Sequence, residues 1–406
     1  MRTFIIILGI IAVLLGAVVL YLALTTPGES VPVRFPLGAS QRALVARVPA
    51  SADAFALIPT AALLQRKLLA NPVTRDAIER WVSEHDVPRP WLIGGGDAVL
   101  WRQDKKVSYA IRLDPFRAFL VRLWLMSSTD AVGVWDGRMF VIGNAGSPMG
   151  EGAADALLAA ANGLPQGDVF VVQRDRTRGV FPPIGRPAVT SVSVTPQEIV
   201  IVSRGGRASG PPGGRDVRPP KHPKGALLSA SFATPPRILD DVQRLLGTNI
   251  SALLGGGGSI ALYDIDAGTL LPRPKGVISI PASDQARAAM QDITRVAQVV
   301  GETRDTGSEL LVSFDRESMP LYLKDAFQPA PWPATSWSLR LDAPRLTPIL
   351  EQLGDNRGLR LVAPRLHRAA RDLRRWIGAL RQAESVEATD SVSGGFEELR
   401  VRIASK

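Results

Sequence analysis

Apolar and polar residues alternate with period two through most of this chain, in short runs punctuated by glycine, proline and aspartate. Val107, Tyr109, Ile111 and Leu113 alternate with Ser108, Ala110 and Arg112, the signature of a strand buried on one face. The pattern around them occurs twice. Gly94–Leu120 and Gly256–Met290 each read as a glycine turn, a strand, a turn, a second strand and a short helix. Asp114-Pro115 in the first copy and Pro281–Asp284 in the second supply a helix start just after the second strand.

The neighbours of the two copies follow one plan. Leu44–Val48 and Phe55–Pro59 carry strand-like patterns, and Thr60 is placed to cap a helix that Asn71-Pro72 interrupts and Val73–Glu84 resumes. Asp136-Gly137 between apolar runs predicts a two-residue hairpin turn. Glu151–Asn162 reads as helix, Asp168–Gln173 as a strand and Val189–Val202 as a hairpin. In the second half, strand Ala226–Phe232 precedes helix Pro236–Leu246, and Leu310–Phe314 is matched with Pro320–Leu323 as a hairpin. Strand Trp337–Leu341, helices Pro344–Leu353 and Pro364–Arg381, and a terminal hairpin complete the chain. In that last strand Leu399, Val401 and Ile403 face one way, Arg400 and Arg402 the other.

Three hairpins recurring in the same order predict an internal duplication, with lobes at residues 43–206 and 225–406. The fold class expected is α+β: a single N-terminal transmembrane helix, then two duplicated lobes of antiparallel β-hairpins with helices packed on one face.

Residues 4–24 interrupt the alternation with a run that has no charge and no polar face. At ~1.5 Å per residue such a run spans ~30 Å, the thickness of a bilayer's hydrocarbon core. It is longer than the ~7–15 apolar residues of a secretion signal, and Leu24-Thr25-Thr26-Pro27 is a poor cleavage site, so an uncleaved anchor is expected. A short N-terminal tail stays cytoplasmic, which places the body in the periplasm, tethered to the inner membrane. Residues 25–42, with Pro27, Pro32 and Pro36, read as a tether, and residues 207–224 as a Gly/Pro/Arg-rich linker.

The chain's net charge of +10 favours anionic partners: anionic lipid for an envelope protein, with nucleic acid disfavoured by the expected topology. With no cysteine there are no disulfides, thiolate metal sites or cysteine nucleophiles. His85, His222 and His367 have no partner at ligand spacing, so no metal site is built on them. The glycine runs at 94–96 and 255–258 lead into strands and lack a following Gly-Lys-Ser/Thr, so they are turns and not phosphate loops. Asp264-x-Asp266-x-Gly268 starts like a calcium loop, but Lys275 stands where its closing glutamate belongs. Neither cofactor nor catalytic residue is expected.

Two features stand above this background. On the helix 364–381 an apolar stripe runs among Arg365, Arg368, Arg371, Arg374, Arg375 and Trp376, a face able to meet membrane headgroups or a partner. The alternative is a stripe packed on the sheet with solvated arginines. The eight tryptophans, likewise, either line a pocket or fill the core.

Val48–Pro72, VPASADAFALIPTAALLQRKLLANP, resembles a stretch of bacterial membrane-anchored envelope proteins that carry domains of unknown function. The resemblance implies an extracytoplasmic, membrane-tethered α+β protein and supplies no catalytic residues. The function expected is that of a non-enzymatic periplasmic binding or scaffold/accessory protein of the cell envelope. The alternative is a carrier that holds lipid or another amphiphile in an apolar groove between lobes.

Overall fold

The computed structural model describes residues 33, 37–84, 96–103, 106–127, 133–136, 139–142, 161, 164–173, 188–207, 222–232, 257–269, 272–284, 286–288, 290, 301–324, 335–362, 364–374, 377–393 and 396–406. The apolar run 4–24, the helices expected at 151–162 and 236–246 and most of the linker lie outside them. No helix among the described residues is long and apolar enough to cross a membrane.

The chain packs as two units, Met1–Pro196 with Ile201–Gly206, and Gln197–Val200 with Arg207–Lys406. In the first half, helix α1 (Ala39–Ala46) precedes strand β1 (Ala54–Ile58), helices α2 (Ala61–Ala70) and α3 (Pro72–Glu84), strands β2 (Ala98–Gln103) and β3 (Lys106–Arg112), and helix α4 (Pro115–Ser127). Strands β4 (Gly133–Asp136), β5 (Met139–Ile142), β6 (Val169–Gln173), β7 (Ala188–Val194) and β8 (Glu198–Arg207) follow. The second half carries β9 (Leu228–Phe232), β10 (Gly258–Asp266), β11 (Arg273–Pro281), β12 (Thr303–Asp305), β13 (Glu309–Ser313), α5 (Ser318–Lys324) and β14 (Thr335–Asp342). It ends with α6 (Ala343–Asp355), α7 (Arg357–Val362), α8 (Pro364–Arg374), α9 (Ile377–Gln382), β15 (Ala383–Ser393) and β16 (Phe396–Ser405).

The expected fold class, α+β with two duplicated lobes of antiparallel hairpins, is corrected by the sheet. Strands dominate, and they form one antiparallel sheet of 16 strands rather than two sets of hairpins. The first eight strands are ordered β8-β7-β6-β1-β2-β3-β5-β4, and the last eight β16-β15-β14-β9-β10-β11-β13-β12. The second order is the first with eight added to every label. Hairpin turns join only some neighbours; β1 also pairs with β6, and β9 with β14, contacts that a reading of consecutive hairpins cannot supply.

Helices on one face is also corrected. Leu228 pairs with Leu262, and Ser229 with Ala261, so these two rows lie on opposite faces of the sheet. Leu346 and Leu350 of α6 and Ala370 of α8 pack with Leu228, Leu339 and Leu341 on the first face. Met319 and Tyr322 of α5 pack with Ala261 and Val277 on the second. Burying each such side chain contributes about 1.5–3 kcal/mol.

Aspartate and serine start the helices. The N–H groups of Phe116 and Arg117 donate to Asp114 Oδ1, that of Ala286 to Ser283 Oγ, and that of Arg345 to Asp342 Oδ1. Thr60 stands at the N-cap of α2 but makes no capping bond with its side chain. Asn71 does the equivalent work for α3, accepting from Val73 N–H. Two strand expectations are overturned. Residues 44–46 belong to α1, where the adjacent Leu44 and Val45 are both fully buried, as a one-sided strand does not allow. Residues 320–323 belong to α5, whose first turn is capped by Asp315 Oδ1 through the N–H groups of Glu317 and Ser318. The partner of β13 at that edge is β12, closed by Gly307 at φ +85°.

Candidate functional site

In the second unit the sheet face beneath α5 carries hydroxyls in register. Ser279 of β11 lies opposite Ser259 of β10, which lies opposite Ser231 of β9. Ser231 lies opposite Ser338 of β14, and Ser338 opposite Thr389 of β15. Five hydroxyl side chains thus cross five adjacent strands in one row, at the ~4.8 Å spacing of neighbouring strands. Ser231 is half-buried and the other four are buried. The row exists because each strand alternates: LSASF, ISI and WSL put serine on this face and Leu, Phe, Ile or Trp on the other.

Charged and aromatic groups close both ends. At the β11 end Ser279 Oγ donates to Glu309 Oε2 at 3.0 Å. Tyr322 lies beside Ser279 and Ser259, and burial pushes its pKa above the usual phenol value. Beside the row, one residue pair further along the strands, Ser229 lies opposite Arg340, and Arg340 opposite Glu387. His222 Nδ1 lies 2.6 Å from Ser229 Oγ. Burial, reinforced by the Arg340 charge, lowers the His222 pKa to about 4, so the ring is neutral at neutral pH. Arg340 Nε is 3.5 Å from Glu387 Oε1, and Arg402 Nε, on the next strand, donates to Glu198 Oε2 at 2.7 Å. Arg340 and Arg402 are thus each paired with a carboxylate within the protein.

Ser338 is different from its neighbours. Its side chain is 1% exposed, and its hydroxyl has no hydrogen-bond partner among the described residues. A buried hydroxyl gives up its bonds to water on folding, and one left unpaired costs about 1–3 kcal/mol.

Four of the same five positions in the first unit are apolar. Counting from the paired strand ends, Ile58 opposite Ala98 and Phe232 opposite Gly258, the equivalent row is Ala110, Val99, Leu57, Phe170 and Ser191. Leu57, Val99 and Ala110 are 0% exposed and Phe170 1%. One topology therefore carries a packed apolar layer in one unit and a hydroxyl layer in the other.

The sequence alone singled out none of these residues. They are separated by long stretches of chain and meet only through strand register. The signal that was present is serine at every second position of several apolar strands. His222, read as a linker residue, is anchored on the sheet instead.

The arginine-bearing helix divides into α8 and α9, with Arg375 and Trp376 outside the described residues. Ala370 and Leu380 pack with Leu346 and Leu350 of α6. Arg374 Nη1 lies 2.5 Å from Asp355 and Arg381 Nη2 2.6 Å from Glu351, while Arg368 and Arg371 are exposed. The side chain of Arg365 is outside the description. Of the tryptophans, Trp101 is a fully buried core residue and Trp337 packs partly buried against the core around Phe232 and Ile280. Asp264 and Asp266 sit at the end of β10 opposite Lys275 and Arg273, a basic pairing unlike a calcium loop.

In the first unit the Ser40 hydroxyl donates to Asp97 Oδ2 at 3.1 Å, and burial raises the Asp97 pKa despite that bond. Lys67 Nζ lies 2.7 Å from Asp168 Oδ1, whose other oxygen accepts from Val194 N–H. Both groups tie loops or helices to strands, α1 to β2 and α2 to the start of β6. No protein-family model, no curated protein and no solved structure matches this chain.

Proposed function

We propose that this is a non-enzymatic binding protein of the bacterial cell envelope, working as an accessory or scaffold, whose contact surface is the part of the second unit's sheet face that carries half-buried Ser231 and exposed Arg340. The observation that carries the reading is the contrast between the two units: Leu57, Val99 and Phe170 in one, Ser231, Ser259 and Ser338 in the other. Apolar side chains at these positions satisfy the fold. Hydroxyls there give up burial of apolar surface and leave Ser338 unpaired, a cost with no structural return. The uncharged run at 4–24 and the resemblance of residues 48–72 to envelope proteins support placing the body in the periplasm behind an inner-membrane anchor.

The test is native mass spectrometry of the full chain, gently released from its own membranes, beside the Ser231→Ala and Arg340→Gln variants. The expected result is a stoichiometric companion, small molecule or protein, that the variants lose. A companion retained by both variants removes this surface from the function. Turnover abolished by a single substitution elsewhere would replace the binding reading with an enzymatic one, and a companion extracted only by organic solvent would favour amphiphile carriage.

A further inference from the structure

We infer that α7 and α8 form a membrane-docking corner, where Leu361 enters an anionic bilayer surface while Arg357, Arg360, Arg368 and Arg371 hold its phosphate headgroups. The inference is separate from the contact surface at Ser231 and Arg340 and rests only on the proposed placement of the body beside a membrane. Leu361 is 83% exposed, the most exposed large apolar side chain among the described residues. Leu359, two residues earlier, is 3% exposed and is the leucine that seats α7 on the protein. Leu361 is left over from packing.

Charge surrounds it. Residues three and four apart lie on one side of a helix, so Arg357, Arg360 and Leu361, all exposed, share the outer side of α7. Arg368 and Arg371, also exposed, share that of α8, which packs against α7. Residues 356–371 contain five arginines and no acidic residue. The carboxylates of Glu351 and Asp355 nearby are engaged by Arg381 and Arg374. Among the described residues the four outer arginines make no ion pair, and their charge is open to an anionic partner.

The corner is also held in place. Asn356 Oδ1 accepts from Leu359 N–H, and Asn356 Nδ2 donates to the carbonyls of Ala267 and Thr269 just past β10. Fixing α7 before contact reduces the entropy lost on docking. An anionic bilayer offers what this corner presents, in order of depth. Phosphates at headgroup level suit guanidinium forks, and hydrocarbon just beneath suits a leucine. A nucleic-acid backbone or free phosphate matches the arginines but gives Leu361 no apolar seat.

The chain has no cysteine, so one introduced cysteine carries a label at a single known place. The full chain is reconstituted into nanodiscs of phosphatidylcholine, alone or equimolar with phosphatidylglycerol. An environment-sensitive fluorophore is attached at Leu361→Cys or at Leu323→Cys, and quenching by spin-labelled lipid reads contact. Leu323 is an exposed leucine on α5, which packs on the other face of the sheet. The expected result is quenching of the Leu361→Cys label in discs with phosphatidylglycerol, with the Leu323→Cys label in water. Adding Arg357→Gln and Arg360→Gln is expected to lower the docked-to-free ratio by about tenfold or more, with Tm unchanged because both side chains are exposed. A Leu361→Cys label in water in both kinds of disc overturns the assignment. Quenching that is independent of phosphatidylglycerol, or equal at the two positions, also overturns it. A label shielded in native membranes but in water in both discs gives the corner to a protein partner and overturns the lipid assignment. A chain that does not enter discs removes the anchor and this assignment together, whereas entry with the label in water removes this assignment alone.

Discussion

His222 and Ser229 are seven residues apart and joined by a 2.6 Å side-chain hydrogen bond that fixes the entry of the chain into β9. The ring is half-buried against the same sheet face as Arg340 and Glu387. Its pKa in the fold, about 4, lies below the ordinary 6.5. Between those values the unfolded chain binds a proton that the folded chain refuses, so stability rises with pH across this window. The contribution is complete above pH ~6.5 and is lost as pH falls toward 4, in total roughly 3 kcal/mol. Urea titrations from pH 7.5 to 4 are expected to show this acid sensitivity reduced in His222→Asn. Parallel curves for the two proteins would show that His222 does not titrate as its surroundings require.

Asn71 is 0% exposed and bonds in two directions: Oδ1 accepts from Val73 N–H, and Nδ2 donates to the Thr195 carbonyl at 2.7 Å. Asn71→Ala removes a helix cap and a tie to the β7–β8 turn, with an expected loss of about 2–4 kcal/mol. Asn71→Asp separates the two roles. Aspartate caps helices as well as asparagine does, but its carboxylate cannot donate to Thr195 and would bury a charge. The aspartate variant is therefore expected to be at least as unstable as the alanine one at pH 7 by urea denaturation. Recovery to near wild type would assign the whole effect to the cap.

Local pattern made the strands legible, and the missing part is what pattern does not encode. The alternation at Val107–Leu113 and the Asp114-Pro115 start lead directly to β3 and α4, because period and capping are properties of adjacent residues. The pairing of β1 with β6 joins residues such as Phe55 and Val172, far apart in the chain, and no local pattern specifies it. The run Pro320–Leu323, expected as a strand, is helical for another reason. Four such residues fit a strand or one helical turn equally, and Asp315, three residues before Ser318, decides for the helix. The hydroxyl row depended on both kinds of information. Its serines were visible at alternate positions, but which serine faces which is a matter of register.

Arg368 and Arg371 of α8 are exposed, and Arg374, also exposed, is engaged with Asp355. Contact with anionic lipid, if the helix makes it, runs through the first two, each worth roughly 1 kcal/mol at a charged membrane surface. Arg368→Gln with Arg371→Gln is expected to weaken partition to phosphatidylserine vesicles by about tenfold or more. Arg374→Gln is expected to change it less, and to alter stability by under ~1 kcal/mol because its ion pair is exposed. Equal effects from the two sets of changes would mean that net charge alone, not this face, governs the attraction.

Gly276 of β11 lies opposite Leu262 of β10, beside the irregularity between Leu262 and Asp264. A Cβ there would come within 2.4 Å of the Ala261 carbonyl oxygen and 2.8 Å of Leu262 Cδ2. The Gly276 N–H also donates to Asp315 Oδ2, while Asp315 Oδ1 caps α5, so one aspartate binds the helix to the strand beneath it. Gly276→Ala pushes backbone against backbone and is expected to cost about 1–3 kcal/mol by overpacking. Asp315→Ala removes the bonds to Gly276, Glu317 and Ser318 together and is expected to cost at least as much. Because α5 places Tyr322 over Ser279 and Ser259, both changes are also expected to loosen the hydroxyl row at its β11 end. Faster amide exchange across β10 and β11 in both variants would demonstrate the link. Exchange confined to residues 315–324 in Asp315→Ala would show that α5 can detach without disturbing the row.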